Sequence, residues 1–435
     1  VDITVLTGII LFISFFVLLF VGVPIAVGIA IASFIAALFI LPVDSSVLVL
    51  SQQLITGVDS TVLLALVFFM LAGNIMNNGG IAERLINLAK LIGGRFSGSL
   101  AHTNILGNTL FGSISGSAIA SAATMGRVMH PQQTKEGYDP SYSAAVNIAS
   151  APTGLIIPPS GTPIIYSLLT GGTSISALFI AGYLPGLLMV ALLIIVAYFL
   201  AKKENYTVAD KPSKSQSIQI ILQSIPSLLL IIIAIGGIAA GIFTAVEGAA
   251  VAVLYTTILS LIYKQLHLSD IPKILQETII YSGMILLLIG ASTAMSWVLA
   301  YTGIPAAITN AMLSATGNYV LLLLMILLIL LIVGTFMDIA PALLIFTPIL
   351  FPITTQLGVD PVHFGIIIGM ALAIGITTPP IGTVLFIGSS VSGVSIEKIM
   401  PKLLIFYVPL IVALLLVTFI PEISLFLPRL FGLLE

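Results

Sequence analysis

Asp338 interrupts an apolar run, between Gly334-Thr335-Phe336-Met337 and Ile339-Ala340-Pro341. If that run lies in a bilayer, a carboxylate there is expensive and marks an ion or proton path. It could ligate a cation, cap the helix that follows or carry a proton, and these roles are compatible. A second oxygen-rich break is Gly112-Ser113-Ile114-Ser115-Gly116-Ser117. Carbonyls ending one half-helix there would suit a small cation, and N–H groups starting the next would suit an anion. Close helix packing is the plain alternative, because Gly112-x-x-x-Gly116 is also a packing motif.

Each break has a companion. Asp139-Pro140 leads after seventeen residues to Pro158-Pro159-Ser160-Gly161-Thr162, and Asp360-Pro361 leads after the same spacing to Pro379-Pro380-Ile381-Gly382-Thr383. The two copies lie 221 residues apart. Proline removes a backbone donor and clashes with the preceding turn, which leaves carbonyls free. At membrane depth such carbonyls survive only inside protein or beside a polar cavity. Asn147 and Ser150-Ala151-Pro152-Thr153-Gly154 precede the first diproline, and Gly375-Ile376-Thr377-Thr378 precede the second. Free carbonyls and hydroxyls are hard ligands suited to Na⁺. Simple helix kinks are the alternative.

The composition makes the chain a membrane protein. Of its 435 residues, 59% are hydrophobic and 7% are charged, where a soluble domain carries about a quarter charged. A net charge of −2 gives no basic field for nucleic acid. There is no cysteine, which excludes disulfides and thiolate metal sites. His102, His130, His267 and His363 have no metal-ligand spacing. Glu247, near the start of an apolar stretch, is either interfacial or the partner of a buried group. Trp297 reads as packing or an interface anchor. No Lys or Arg falls near mid-membrane, so an anionic solute would be balanced by co-bound cations, half-helix dipoles and hydroxyls. The chain opens on Val1, as a processed or trimmed chain would, and Ile3–Phe20 reads as a first membrane helix and not a cleavable signal.

The elements that position these residues repeat. Gly28 matches Gly248, Gly80 matches Gly303, Gly94 matches Gly317, Gly112 matches Gly334 and Pro131 matches Pro352, at shifts of 220 to 223. The expected organisation is all-α and polytopic. A first repeat over 1–201 carries a hairpin at 99–129 and a broken helix at 142–170. A polar cytoplasmic linker occupies 202–217. A second repeat over 218–435 carries a hairpin at 320–350 and a broken helix at 362–390. Each hairpin arm, at roughly 15 residues or about 22 Å, falls short of the roughly 30 Å apolar core, so both hairpins are expected to be re-entrant. Each repeat then crosses five times, and the odd number inverts the second copy. With the N-terminus outside, every Lys and Arg but Arg429 falls on one side, 13 of the 14. The positive-inside rule makes that side cytoplasmic and both termini periplasmic. In Ile81–Ile92 the polar residues Glu83, Asn87 and Lys90 share a helical face. In Asp270–Ile280, Asp270, Lys273 and Glu277 do the same. Both read as helices lying along the membrane surface beside a spanning segment, or as simple loop anchors.

The tip G-S-x-S-G-S at Gly112–Ser117, the run N-x-x-S-A-P-T-G-x-I-I-P-P-S at Asn147–Ser160, the tip D-x-x-P-A-x-x-I-x-x-P at Asp338–Pro348 and G-x-T-x-P-P-x-G at Gly375–Gly382 resemble the large membrane subunit of tripartite ATP-independent periplasmic (TRAP) transporters. The resemblance covers essentially the whole chain. It implies an elevator-type secondary transporter of the ion-transporter superfamily in the bacterial inner membrane, driven by Na⁺. A mobile domain would hold both hairpins and both broken helices. One sodium site would use Ser113, Ser115, Ser117, Thr153 and Pro158. The other would use Thr335, Met337, Asp338, Ile376, Thr377 and Pro379. Solute contacts would come from Ser115, Gly116, Asn147, Ser160, Asp338 and Thr378. The resemblance also implies two partners, a small four-helix membrane subunit and a soluble periplasmic substrate-binding protein. The solute would be a carboxylate, of the sialic-acid or C4-dicarboxylate class. No catalytic residue and no organic cofactor is expected.

Three rival readings stay open on the sequence. A stand-alone Na⁺/dicarboxylate symporter of the same superfamily would need no binding protein. An ion channel also uses re-entrant segments, but it usually takes its pore from oligomer symmetry, whereas this chain carries internal symmetry. An intramembrane hydrolase could use a tip serine, but no histidine lies near one in sequence.

Overall fold

The computed structural model describes residues 3–94, 97–206 and 213–434, and the described residues contain helices and no strand. Arg95 and the linker residues 207–212, Lys211 among them, lie outside the described residues. The first part runs α1 (Ile3–Phe20), α2 (Ile25–Ala37), α3 (Val43–Val58), α4 (Val62–Asn78) and α5 (Ile81–Gly93). A helical hairpin follows, α6 (Ser99–Ser115) and α7 (Ala118–Lys135). Next come α8 (Pro140–Ser150), the single turn α9 (Thr153–Ile156) and α10 (Gly161–Leu169), then α11 (Ile175–Ala181) and α12 (Tyr183–Lys203). The second part runs α13 (Lys214–Ala239), α14 (Ala245–Ile262), α15 (Ile271–Thr302) and α16 (Ile304–Ala315). A second hairpin is α17 (Tyr319–Phe336) and α18 (Ile339–Gln356), followed by α19 (Pro361–Gly375), α20 (Thr383–Ser392), α21 (Ile396–Phe419) and α22 (Glu422–Leu430).

Eight helices among the described residues are long and apolar enough to cross a membrane, or nine if α3 and α4, bent by 55° at Asp59–Thr61, act as one span. The protein is therefore multi-pass. The shorter helices α2, α19 and α20 fall below that length. Hairpin arms are longer than the sequence suggested. They measure 17 or 18 residues each, about 26 Å, because Pro131, Pro348 and Pro352 sit inside helices without ending them. Length alone thus separates an arm from a crossing less cleanly than expected.

Two expectations about surface helices resolve differently. Ile81–Gly93 is a separate helix, entered through Gly80 at φ +74°, and Leu85, Ile86, Leu88 and Ala89 form its buried face. The stretch Asp270–Ile280 is no separate element. It is the start of the 32-residue α15, which has no proline between Glu277 and Thr302 and runs through Gly283 and Gly290 unbroken. The counterpart of α5 is instead α16, which also begins after a left-handed glycine, Gly303 at φ +72°. The sequence reading left α3 and α16 unassigned.

The broken segments form the centre. Every residue of α19 from Val362 to Gly375 is buried, as is every residue of α8 from Tyr142 to Ser150. A helix that is covered all round belongs to a core. The two parts interlock around it: α20 packs on α7 and α8, while α10 packs on α18. The Tyr166 hydroxyl of α10 donates to the Pro361 carbonyl at 2.7 Å, tying one part to the other. A second core joins α4, α5, α13 and α14, with Leu66, Phe69, Leu85, Leu230 and Ile238 in it. Outward faces are apolar, as Val17, Leu222, Leu254 and Val408 show.

Candidate functional site

The first hairpin ends where Gly116 turns left-handed at φ +62° and Ser117 goes extended. Ser117 caps α7, its Oγ accepting from the Ala120 N–H at 3.2 Å. Ser113, almost fully buried, donates to the Leu110 carbonyl at 3.0 Å. Ser115 reaches the Ser117 carbonyl at 3.5 Å, a weak contact. The tip rests on the diproline loop: a Cβ on Gly116 would lie 3.7 Å from both the Pro159 carbonyl oxygen and the Ser160 Cα. Ser160 is 1% exposed, and its hydroxyl has no protein partner.

One turn back, two backbones touch. A Cβ on Gly112 would lie 2.9 Å from the Cα of Gly154. Small residues at such a crossing let helices approach in lipid, where no hydrophobic force drives them together. Below that contact lies a buried polar knot. The Asn108 amide is shared among Asn104 Oδ1 at 2.9 Å, Asn147 Oδ1 at 3.0 Å and Ser150 Oγ at 2.8 Å. Ser121 donates to Asn108 Oδ1 at 2.7 Å, and the Asn147 amide donates to the Ala122 carbonyl at 2.8 Å. Thr153 sits beside Thr109, with their hydroxyls 2.8 Å apart, and donates to the Ser150 carbonyl at 2.7 Å. Asn147 and Thr153 therefore hold α8 and α9 to both arms of the hairpin, set back from the tip.

The second hairpin repeats the plan. Asp338 is half-buried and caps α18, Oδ1 accepting its neighbour Ile339 N–H at 2.9 Å. None of the four ion pairs among the described residues includes it. Thr335 donates to the Ile332 carbonyl, and its own carbonyl accepts the Ile381 N–H at 3.1 Å. A Cβ on Gly334 would lie 2.8 Å from the Cα of Gly375. Met337 is extended and buried.

The second break reuses the carbonyls its prolines would strand. Gly375 O accepts from Thr378 N–H at 2.8 Å, and Ile376 O accepts from Val384 N–H at 3.0 Å. The Tyr407 hydroxyl donates to the Thr377 carbonyl at 2.6 Å. The Thr377 and Thr378 hydroxyls both point back to the Ile374 carbonyl. Both diprolines, Pro158-Pro159 and Pro379-Pro380, are joined by cis peptide bonds. Thr383, just past the second, buries a hydroxyl without a protein partner.

At one locus Gly116 meets Pro159 and Ser160, with Ser113, Ser115 and Ser117 on the same tip, Pro158 next in the loop, and Thr153 and Asn147 set back. At the other, Gly334 and Thr335 meet the second break at Gly375 and Ile381, with Met337 and Asp338 next on the tip and Ile376, Thr377, Thr378 and Pro379 along the intervening stretch of the break. No hydrogen bond among the described residues joins the two. Each locus offers hard oxygen: hydroxyls, carbonyls with a second lone pair, and at the second a carboxylate. No group of three or more His, Cys, Asp or Glu able to hold a metal is found among the described residues. The sequence reading missed Asn104, Asn108, Ser121 and Tyr407. Asn104 and Asn108 carried a signal, being amide side chains four apart on one face of the arm. Tyr407, far off in sequence, carried none.

The family described as tripartite ATP-independent periplasmic transporter, DctM component, matches residues 12–423. The uncharacterized protein YgiK of Salmonella typhimurium is 51% identical over 98% of each chain. The sialic acid TRAP transporter large permease SiaM of Vibrio cholerae is 37% identical over 95% of this chain and 96% of that one. The C4-dicarboxylate TRAP transporter large permease DctM of Rhodobacter capsulatus is 33% identical over 98% of this chain and all of its own length. Among solved structures, the YdaH transporter of Alcanivorax borkumensis shares the fold, with a TM-score of 0.60 at 15% identity over 86% of this chain and 88% of that one.

Proposed function

The chain belongs to the DctM family of tripartite ATP-independent periplasmic transporters, and from that premise we propose that it performs Na⁺-coupled uptake of a carboxylate solute by an elevator motion. The observation that carries the reading is the doubling of one device. Each hairpin tip is held against a diproline loop by a glycine–glycine backbone contact, Gly112 on Gly154 and Gly334 on Gly375. Broken backbone at depth, enclosed in protein and lined with oxygen, is the form that sodium sites take in secondary transporters.

One Na⁺ is assigned to Ser113, Ser115 and Ser117 with the loop around Pro158, and one to Thr335, Met337 and Asp338 with the carbonyls of Ile376–Pro379. Co-bound sodium compensates the solute's negative charge. We assign solute contacts to Ser115, Gly116, Ser160, Asp338 and Thr378. The free hydroxyl of Ser160 supports that assignment, whereas the engaged amide of Asn147 supports a positioning role for that residue. SiaM and DctM, named for sialic acid and C4-dicarboxylates, are similar to this chain at comparable identity, so the solute class is taken as either. The working partners are a small membrane subunit and a periplasmic binding protein that delivers the solute, in the bacterial inner membrane with both termini outward.

The absence of native cysteine makes accessibility a clean test. Ser115→Cys and Thr335→Cys should each react with a membrane-impermeant maleimide from one side under an inward Na⁺ gradient, and from the other when it is reversed. Labelling confined to one side in every condition would rule out the elevator reading.

A further inference from the structure

The structure assigns an unpaired guanidinium to the membrane boundary, and we propose that Arg84, with Lys264, binds the phosphate of an anionic phospholipid. Arg84 lies in the first turn of α5 and is held rigidly. Its guanidinium carbon sits 3.4 Å from the centroid of the Tyr263 ring. One terminal nitrogen donates to the Gly80 carbonyl at 2.7 Å, and Ser224 donates to the Arg84 carbonyl at 3.1 Å. None of the four ion pairs among the described residues includes Arg84 or Lys264. Glu83, the sequence neighbour of Arg84, is likewise in none of these ion pairs. Arg84 Nε is buried without a hydrogen-bond partner.

The location selects the ligand. Span α14 ends at Ile262, so Tyr263 and Lys264 stand at the limit of the apolar slab. Lys264 turns left-handed there at φ 56°, and it is exposed. Gln265 closes on Gly80, where a Cβ would lie 2.8 Å from Gln265 Cγ and 3.1 Å from Arg84 Nη1. Just before Tyr263 and Lys264, Leu261 and Ile262 are 55% and 67% exposed. The edge of the guanidinium left open by Gly80 and by burial, held in place by the ring stack and joined by the exposed Lys264 ammonium, suits a phosphate. Exposed leucine and isoleucine beside it suit acyl chains. Free phosphate would use that edge but not the apolar rim. The stacked arginine pins α5 to α14, so the lipid would brace the joint between them.

The test uses the full chain purified in a neutral detergent, with lipid binding read by native mass spectrometry. Phosphatidylglycerol should bind about ten-fold more tightly than phosphatidylcholine, the scale of a charged hydrogen-bonded pair. Arg84→Gln should abolish that preference, and Lys264→Gln should reduce it about three-fold, the scale of a single surface charge. Arg84→Lys keeps the charge but not the guanidinium edge and should fall between. If Arg84→Gln does not fold, Arg84→Lys and Lys264→Gln decide, and both must lose selectivity. Equal binding of the two lipids, unchanged selectivity in the folded variants, or full competition by inorganic phosphate alone would overturn the proposal.

Discussion

Gly334 and Gly375 cross so closely that a Cβ on Gly334 would lie 2.8 Å from the Cα of Gly375, and one on Gly375 would lie 2.5 Å from the Cα of Gly334. Gly112 and Gly154 make the same contact 221 or 222 residues earlier. Gly375→Ala should therefore push the second hairpin off its loop. Overpacking a close contact costs about 1–3 kcal/mol. The expected result is a lower thermal midpoint together with weaker Na⁺ activation of uptake. Gly283→Ala is the control, because nothing lies within 4 Å of a Cβ there, and it should leave both readouts unchanged.

Asp338 combines a cap with a charge, and the two are separable. Asparagine caps a helix about as well as aspartate. Asp338→Asn should keep the thermal midpoint while raising the Na⁺ concentration for half-maximal uptake by about ten-fold, the scale of a lost charged ligand. Asp338→Ala should lose the same sodium response and, in addition, about 1 kcal/mol of stability. Sodium titration of uptake beside a thermal melt distinguishes them.

Asn108 serves α6, α7 and α8 at once through Asn104, Asn147, Ser150 and Ser121. Removing it strands buried polar partners, at about 1–3 kcal/mol for each group left unsatisfied. Asn108→Ala should lower the thermal midpoint more than Ser113→Ala. Asn147→Ala should also melt early, yet the folded fraction should keep its KM for solute. A raised KM with normal stability would return Asn147 to the solute contacts.

Tyr407 reaches from α21 to the Thr377 carbonyl at 2.6 Å. Tyr407→Phe removes that one bond, worth about 1 kcal/mol. We expect a fold that is retained and a Na⁺ affinity lowered a few-fold, because the carbonyl loses the group that orients it. Unchanged sodium dependence would limit Tyr407 to packing.

Much of this was legible because lipid makes broken helices conspicuous. Pro158-Pro159 and Pro379-Pro380 stand out in apolar surroundings, and the Asp338 and Gly112–Ser117 breaks stand out for the same reason. What escaped was set by tertiary contact. Val43–Val58 is a helix although its polar residues hide it, because α15 packs along it. The second arm of the second hairpin extends to Gln356 because Pro348 and Pro352 are tolerated inside a packed helix. Asp270–Ile280 merges into α15 because polar periodicity marks a face and does not mark an end. The glycine pairs were visible singly, but their partnership needed the folded chain.

The most direct measurement is solute uptake into proteoliposomes holding this chain and its small membrane subunit, with labelled sialic acid and a labelled C4-dicarboxylate assayed in parallel. The account predicts that one of them accumulates only when an inward Na⁺ gradient and the cognate periplasmic binding protein are both present. Accumulation without sodium, accumulation without the binding protein, or accumulation of neither solute would contradict it.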